Sequence, residues 1–126
     1  MIPITSSFRI SVKTFFEKDF RANLREAYKI EVPNTPQSSR DIGGIIRSII
    51  KTLWQEVDVI ELDFQNEPIA SGSIFDELAK LFDEYPKEEV KRRLRFVNVD
   101  EWDQHLFLHL AKMRLEDKAK KVLEPA

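Results

Sequence analysis

The feature that most constrains the fold is a short β-type run followed at once by a loop and an amphipathic helix. Val57 to Phe64 reads VDVIELDF, and the residues after it include Pro68 and Gly72, which are typical of a loop. Apolar residues then recur with helical spacing up to Pro86. A strand joined to a helix in this way predicts an α/β unit. In such units, ligands and regulatory groups usually lie in the loop after the carboxyl end of the strand.

The same alternation extends through most of the chain. Ser38 followed by Asp41 predicts a helix start, and apolar residues with helical spacing continue to Val57. Leu94 to Val99 predicts a second strand, and Glu101 to about Lys118 predicts a long final helix. Helix, strand, helix, strand and helix in this order imply crossover connections and therefore parallel pairing. Because two strands make a very small sheet, we expect the N-terminal third to supply at least one more.

The N-terminal third is separated from the rest by a segment rich in turn formers. Apolar residues alternate over Phe8 to Val12 as in a strand, and they keep helical spacing over Val12 to Tyr28. Val32 to Ser39 contains two prolines and predicts a linker. We therefore expect a strand and helix extension in residues 1–37 and an α/β domain in residues 38–126. The fold class predicted is a single small α/β domain with a mixed, partly parallel sheet covered by helices.

Composition limits the function classes. The chain has 126 residues, of which 42% are hydrophobic, and a net charge of −2, which suits one folded domain without a dominant surface charge. The absence of cysteine excludes disulfides, a cysteine nucleophile and thiolate zinc sites. The N-terminus lacks the apolar core of a signal peptide, and no apolar run approaches the ~18 residues of a membrane span. We expect a cytoplasmic protein that contacts no membrane.

The charge distribution argues against a nucleic-acid partner. The segment from Thr52 to Ala79 has no Lys or Arg and contains seven acidic residues: Glu56, Asp58, Glu61, Asp63, Glu67, Asp76 and Glu77. The basic clusters at Lys91 to Arg95 and at Lys112 to Lys121 lack interleaved aromatic residues, so they are interpreted as solvated faces. We therefore expect a protein partner and no nucleic acid.

Several segments together resemble a known family. The runs SSRDIGGIIRSIIKTL, VIELDF, SGSIFDELAKLF and LRFVNV, with the closing helix, resemble the STAS-like domain family. These small bacterial proteins are related in fold to the STAS domains of anti-sigma factor antagonists. The resemblance covers Ser38 to Glu116, and its most specific part is Ser73 to Leu78. It implies about four strands with helices on one main face, a GHKL-type ATPase or kinase as partner, and no catalysis of its own.

The turn before the helix is the candidate functional site. STAS antagonists carry a phosphorylated serine in an Asp-Ser-Ser-Gly turn, whereas this chain reads Ala-Ser-Gly-Ser over residues 70–73. A serine here can cap the helix, and Ser73 with Asp76 has capping-box spacing. It can instead accept a phosphate, which would act as a release signal for a basic partner because the sequence shows no basic residue nearby. The candidate residues for partner binding or phosphorylation are Ser71, Gly72, Ser73, Asp76 and Glu77.

Two other chemistries are weighed against this site. Asp63 ends the strand and Asp76 begins the helix, so together they could hold Mg²⁺ in a small phosphotransfer or hydrolytic domain. His105 and His109 lie one helical turn apart, but their stripe continues as a solvent-facing surface, and we predict no metal site there. Gly43 and the glycine after it are interpreted as residues that allow close helix packing.

The sequence therefore favours a non-enzymatic, protein-binding regulatory module with no catalytic residues, cofactor or metal. Its partner surface is predicted at Ser71 to Phe75, with a GHKL-type ATPase or kinase as the implied partner and the Mg²⁺-dependent domain as the alternative. The oligomeric state stays open, and a homo-oligomer is compatible with the sequence. The strands and the helix between them should share one apolar layer. Its predicted members are Phe64, Phe75, Leu78, Phe96 and Val97.

Overall fold

The computed structural model describes residues 6–17, 19–29, 31, 38–69 and 71–123. Residues 32–37 of the predicted linker lie outside this range, as does Ala70 of the predicted turn. The elements, in chain order, are β1 (Ser7–Ser11), a short 3-10 helix (Val12–Phe16), α1 (Phe20–Tyr28), α2 (Ser39–Leu53), β2 (Val59–Asp63), α3 (Gly72–Ala79), α4 (Leu81–Glu84), α5 (Lys87–Arg93), β3 (Leu94–Val97) and α6 (Glu101–Leu123).

The three described strands form one sheet in the order β1-β2-β3. Both strand pairs are parallel, with Ser7 opposite Val59 and Ile60 opposite Leu94. The prediction that the N-terminal third supplies a further strand is confirmed, because β1 pairs along the whole of β2. The prediction of a mixed sheet is wrong for the described strands. Each consecutive pair is joined through helices, and such crossovers bring the next strand back in the same direction.

The register gives the sheet one apolar face and one polar face. Phe8, Ile60 and Leu94 lie in one row across the three strands, with a similar apolar row two residues further along. The intervening row carries charges, and Arg9 pairs with Glu61 at 3.4 Å. Parallel sheets are usually apolar on both faces, but here only one face contributes to the core. The class is thus α/β, in a single small domain.

The core lies between the apolar face of the sheet and the helices. Phe64, Phe75 and Leu78 are buried as predicted, and Phe96 is half-buried with its ring centroid 5.1 Å from that of Phe64. The prediction for Val97 is wrong. Successive side chains of a strand point to opposite faces, so Val97 lies on the polar side of β3 when Phe96 faces the core.

Helices α2 and α3 pack closely because of Gly43. A Cβ atom on Gly43 would lie 2.9 Å from the Cβ of Glu77 and 3.0 Å from the Cα of Ile74. These distances are shorter than ordinary packing contacts, so only a glycine allows this approach. The close-packing interpretation is confirmed for Gly43. It does not extend to Gly44, whose Cβ would meet only the Glu77 Oε2 atom at 4.0 Å.

The helix predicted to end at Pro86 is divided into two pieces. Helix α3 ends at Ala79, and the one-turn α4 follows it. Pro86 then caps α5, whose first residue is Lys87. In the part of the chain that the structure describes, no helix combines the length and the apolar character needed to cross a membrane.

Candidate functional site

The carboxyl ends of the strands meet at one edge of the sheet, called here the carboxyl edge, because all three strands are parallel. The loops that follow β2 and β3 are tied together there. The N–H of Asn66 donates to the carbonyl of Asn98 at 2.9 Å, and the Asn98 Nδ2 atom donates to Asp63 Oδ1 at 3.1 Å. Both asparagines have left-handed φ angles, of 62° and 53°, a conformation that this residue type tolerates.

Asp103 holds the loop that leads into α3. Its Oδ2 atom accepts a hydrogen bond of 2.6 Å from the N–H of Ile69, and the residue is 0% exposed. Asp103 lies in the first turn of α6, where the helix dipole stabilises a carboxylate. The loop is therefore anchored directly in front of the candidate turn. Sequence reasoning missed this residue, although an acidic residue in a first helical turn was the available signal.

The turn itself is a conventional helix start. Ser71 caps α3, and its Oγ atom accepts a hydrogen bond of 3.4 Å from the N–H of Ile74. The prediction that Ser73 forms a capping box with Asp76 is wrong, because Ser73 already lies inside the helix. Gly72 is exposed, and a Cβ atom placed on it would meet nothing within 4 Å. The turn thus presents an accessible backbone position beside a fixed cap.

Asp76 bridges two other helices. Its carboxylate accepts from Arg40 of α2 at 2.9 Å and from Arg114 of α6 at 3.0 Å. The sequence prediction of a turn without basic neighbours is therefore wrong, because both arginines reach it from distant parts of the chain. Desolvation works to raise the pKa of Asp76, but the hydrogen bonds from the two guanidinium groups outweigh it. The pKa of this carboxyl is consequently below its usual value.

Glu77 is buried, at 4% exposure, and is the centre of a second set of ion pairs. Its carboxylate lies 2.6 Å from Lys80 Nζ, 2.9 Å from Arg40 Nη1 and 3.4 Å from Arg47 Nη2. Desolvation favours a raised pKa, yet the hydrogen bonds from Lys80 and Arg40 lower the pKa of Glu77 below its ordinary value. Two of the five candidate residues, Asp76 and Glu77, therefore connect helices inside the domain, and the turn above them carries little net charge.

Asp63 and Asp76 have no partner in common. Asp63 accepts from the backbone N–H of Gln65 at 2.9 Å and from Asn98, and these two bonds lower the pKa of its carboxyl. Asp76 is instead occupied by arginines of α2 and α6. Over the described ranges, no group of three or more His, Asp or Glu residues is placed to hold a metal ion. His105 is 71% exposed at its side chain and contacts Glu101 at 3.6 Å.

Two large apolar side chains are exposed at the carboxyl edge. Trp102 is 70% exposed and immediately precedes the Asp103 anchor. Phe16 is 50% exposed and lines a shallow cavity of about 210 Å³ together with Pro68 and Ile69. Two exposed aromatic residues therefore lie near the loop before α3. Phe16 belongs to the short helix that follows β1, and Trp102 lies at the start of α6. Neither aromatic residue was identified as a functional candidate from the sequence.

Comparison with known proteins gives no relative from which to assign the site. No protein-family model, curated protein or solved structure matches this chain.

Proposed function

We propose that this protein is a non-enzymatic, protein-binding regulatory module that contacts its partner through the turn at Ser71–Ser73 and the adjacent Trp102. The predicted surface extended to Phe75, but Ile74 and Phe75 are 0% exposed and pack in the core, so they are not part of the proposed contact. The observation that carries the proposal is the 70% exposure of Trp102 at the carboxyl edge. Exposed tryptophans are costly in water, and they are among the residues that contribute most binding energy in protein interfaces.

The geometry around the turn supports binding rather than chemistry. Ser71 caps the helix and Asp103 anchors the preceding loop, so the backbone of the turn is held before any partner arrives. A preorganised surface loses less conformational entropy on association. The carboxylates of Asp76 and Glu77 are occupied by arginines and a lysine of the same chain. This favours a partner surface that is apolar or nearly neutral.

A GHKL-type ATPase or kinase is the partner that the resemblance to STAS-like domains implies, and it is part of this proposal. Ser71 and Ser73 are the proposed phosphoacceptors. A phosphate on Ser73 would add nearly two negative charges to a surface whose acids are already paired. Phosphorylation is therefore proposed to weaken the complex, as a release signal.

The test uses a purified GHKL-type ATPase or kinase as the binding partner, with affinity measured by calorimetry. Gly72→Gln places a neutral side chain on the exposed turn, where nothing lies within 4 Å of the Cβ position. We expect Gly72→Gln to leave the melting temperature unchanged and to weaken binding by about 30-fold. We expect the same two results for Trp102→Ala. Met113→Gln is the matched control, because Met113 is 50% exposed on the same helix as Trp102 but far along it. Parental affinity in both test variants would refute this site, and absence of binding by the unmodified protein would refute the partner.

A further inference from the structure

A second surface lies away from the turn, in a groove between α5, β3 and α6. Its volume is about 620 Å³. The floor is formed by apolar side chains of all three elements, including Val90, Leu94 and Phe107, and the groove continues along α6 past Leu108 and Leu115. None of these residues belongs to the candidate turn. We call this surface the apolar groove.

The α6 side of the apolar groove is a linear stripe. Residues of α6 line the groove at intervals of three or four positions: Gln104, Leu108, Ala111, Leu115 and Ala119. This spacing keeps the five residues on one face of the helix. At a rise of about 1.5 Å per residue, the stripe is roughly 22 Å long. Leu108 is 54% exposed, and the small side chain of the exposed Ala119 would let another backbone approach closely. Such a stripe matches the anchors of an amphipathic helix lying along α6.

The charges around the apolar groove identify the kind of helix. Lys87 and Lys91 lie on the α5 side and Lys112 on the α6 side, all at exposed positions. Their ammonium groups pair with none of the described carboxylates, whereas Arg114 of α6 pairs with both Asp76 and Asp83. Glu116 is the acidic residue that lines the groove. The three lysines and one glutamate give the groove lining a net positive charge, with the excess on the α5 side, which complements an apolar stripe flanked by acidic residues.

We infer that the apolar groove binds an acidic amphipathic helix of a protein partner. The apolar side chains of that helix would cover Leu108 and Leu115, and its carboxylates would approach Lys87, Lys91 and Lys112. This interaction is additional to the one proposed at the turn. The two surfaces share no residue, so each can fail without the other.

The probe is a synthetic amphipathic peptide of about 18 residues, long enough to follow the stripe, with leucines on one face and glutamates on both flanks. Its fluorescence anisotropy is measured against the full chain. A second peptide has lysine in place of every glutamate. We expect saturable binding of the acidic peptide that weakens with added salt, and binding of the lysine peptide at least about tenfold weaker.

Variants of the protein locate the binding. Leu108→Glu should weaken binding of the acidic peptide about tenfold or more, since it places a negative charge in the apolar stripe of α6. Met113→Glu is the matched control, because Met113 is 50% exposed on the same helix but does not line the groove. Circular dichroism establishes that each variant is folded. If Leu108→Glu fails to fold, Lys112→Glu provides a second test at an exposed position. It should also weaken binding of the acidic peptide.

Three results would overturn the inference. The first is no saturation by the acidic peptide up to about 1 mM. The second is equal weakening by Leu108→Glu and Met113→Glu, which would show that the peptide does not occupy the groove. The third is a concentration-dependent dimer in sedimentation experiments that Leu108→Glu abolishes, since the groove would then be covered by a second copy of this chain.

Discussion

Arg93 connects three parts of the structure through one side chain. Its Nη2 atom donates to the carbonyls of Trp54 and Val57, the latter at 2.8 Å, and its Nε atom donates to the carbonyl of Asp58 at 3.1 Å. Its Nη1 atom lies 2.7 Å from Glu89, and the guanidinium is 4.2 Å from the centroid of the Trp54 ring. These bonds satisfy the carbonyl of Trp54, the C-cap residue of α2, and two carbonyls of the connection that leads into β2. The interpretation of this basic cluster as solvated is wrong for Arg93, because its side chain is only 14% exposed.

We expect Arg93→Lys to lower the free energy of unfolding by about 2–3 kcal/mol, since an ammonium group cannot reproduce the planar, multidentate bonding of a guanidinium. The measurement is chemical denaturation followed by circular dichroism. Arg92→Lys, at the neighbouring exposed position, should change the same quantity by less than about 0.5 kcal/mol. Equal effects of the two substitutions would show that the Arg93 bonds contribute nothing specific.

At the scale of elements, the position of α3 depends on its contact with α2. Gly43 allows the two helices to approach until its Cα faces Ile74 and Glu77 directly. This approach brings Arg40 and Arg47 of α2 within reach of the Glu77 carboxylate. The ion pairs around the candidate turn therefore require the close crossing, and the crossing requires a residue without a side chain.

Gly43→Ala should lower the free energy of unfolding by about 1–3 kcal/mol, because the added methyl group would overlap atoms of α3, including its backbone. Gly44→Ala is the matched control. Its methyl group has room, and alanine favours the helix over glycine, so this variant should gain up to about 1 kcal/mol. The opposite signs are read from thermal and urea unfolding. A stabilised Gly43→Ala variant would contradict the observed crossing.

At the scale of the whole molecule, a network of ion pairs joins four helices. Arg47 reaches Glu84 of α4 at 3.2 Å as well as Glu77 of α3, and Arg114 of α6 pairs with Asp83 of α4 at 2.8 Å and with Asp76. The folded state lowers the pKa of both Asp76 and Glu77. A carboxyl whose pKa is lower in the folded than in the unfolded protein stabilises the fold above its unfolded pKa. That stabilisation is lost as the pH falls through the folded value.

We therefore expect the free energy of unfolding to fall as the pH drops below about 4.3, the ordinary pKa of a glutamate. Glu77→Gln should be about 2–3 kcal/mol less stable than the parent at neutral pH, because it removes the carboxylate that pairs with Lys80 and one of the two carboxylates that pair with each of Arg40 and Arg47. This difference should shrink in acid, where the parental carboxyl also becomes neutral. Urea unfolding from pH 7 to pH 3 measures it, with the exposed Glu56→Gln as control. A difference that stays constant over this range would exclude an ionised Glu77 as the cause.

The sequence by itself determined the α/β class and most of the element order, because both depend on neighbours a few residues apart. The helical start at Ser38 is confirmed, with its Oγ atom accepting from the N–H of Asp41 at 3.2 Å. The strand within Val57 to Phe64 and the helix after the loop are also confirmed, as is the additional N-terminal strand. Alternation and helical spacing express which face is buried, so they predict elements well. They contain no information on which distant side chains meet.

Only the tertiary structure decided the charge and shape of the candidate site. Arg40 lies 36 residues before Asp76, and Arg114 lies 38 residues after it, yet both bind its carboxylate. Asp103 likewise lies 34 residues after Ile69, whose backbone N–H donates a hydrogen bond to its carboxylate. Ion pairs and hydrogen bonds of this kind depend on how helices cross over the sheet, and periodicity along one element cannot encode that crossing. A segment that is uniformly acidic in the sequence is therefore largely neutralised in the folded protein.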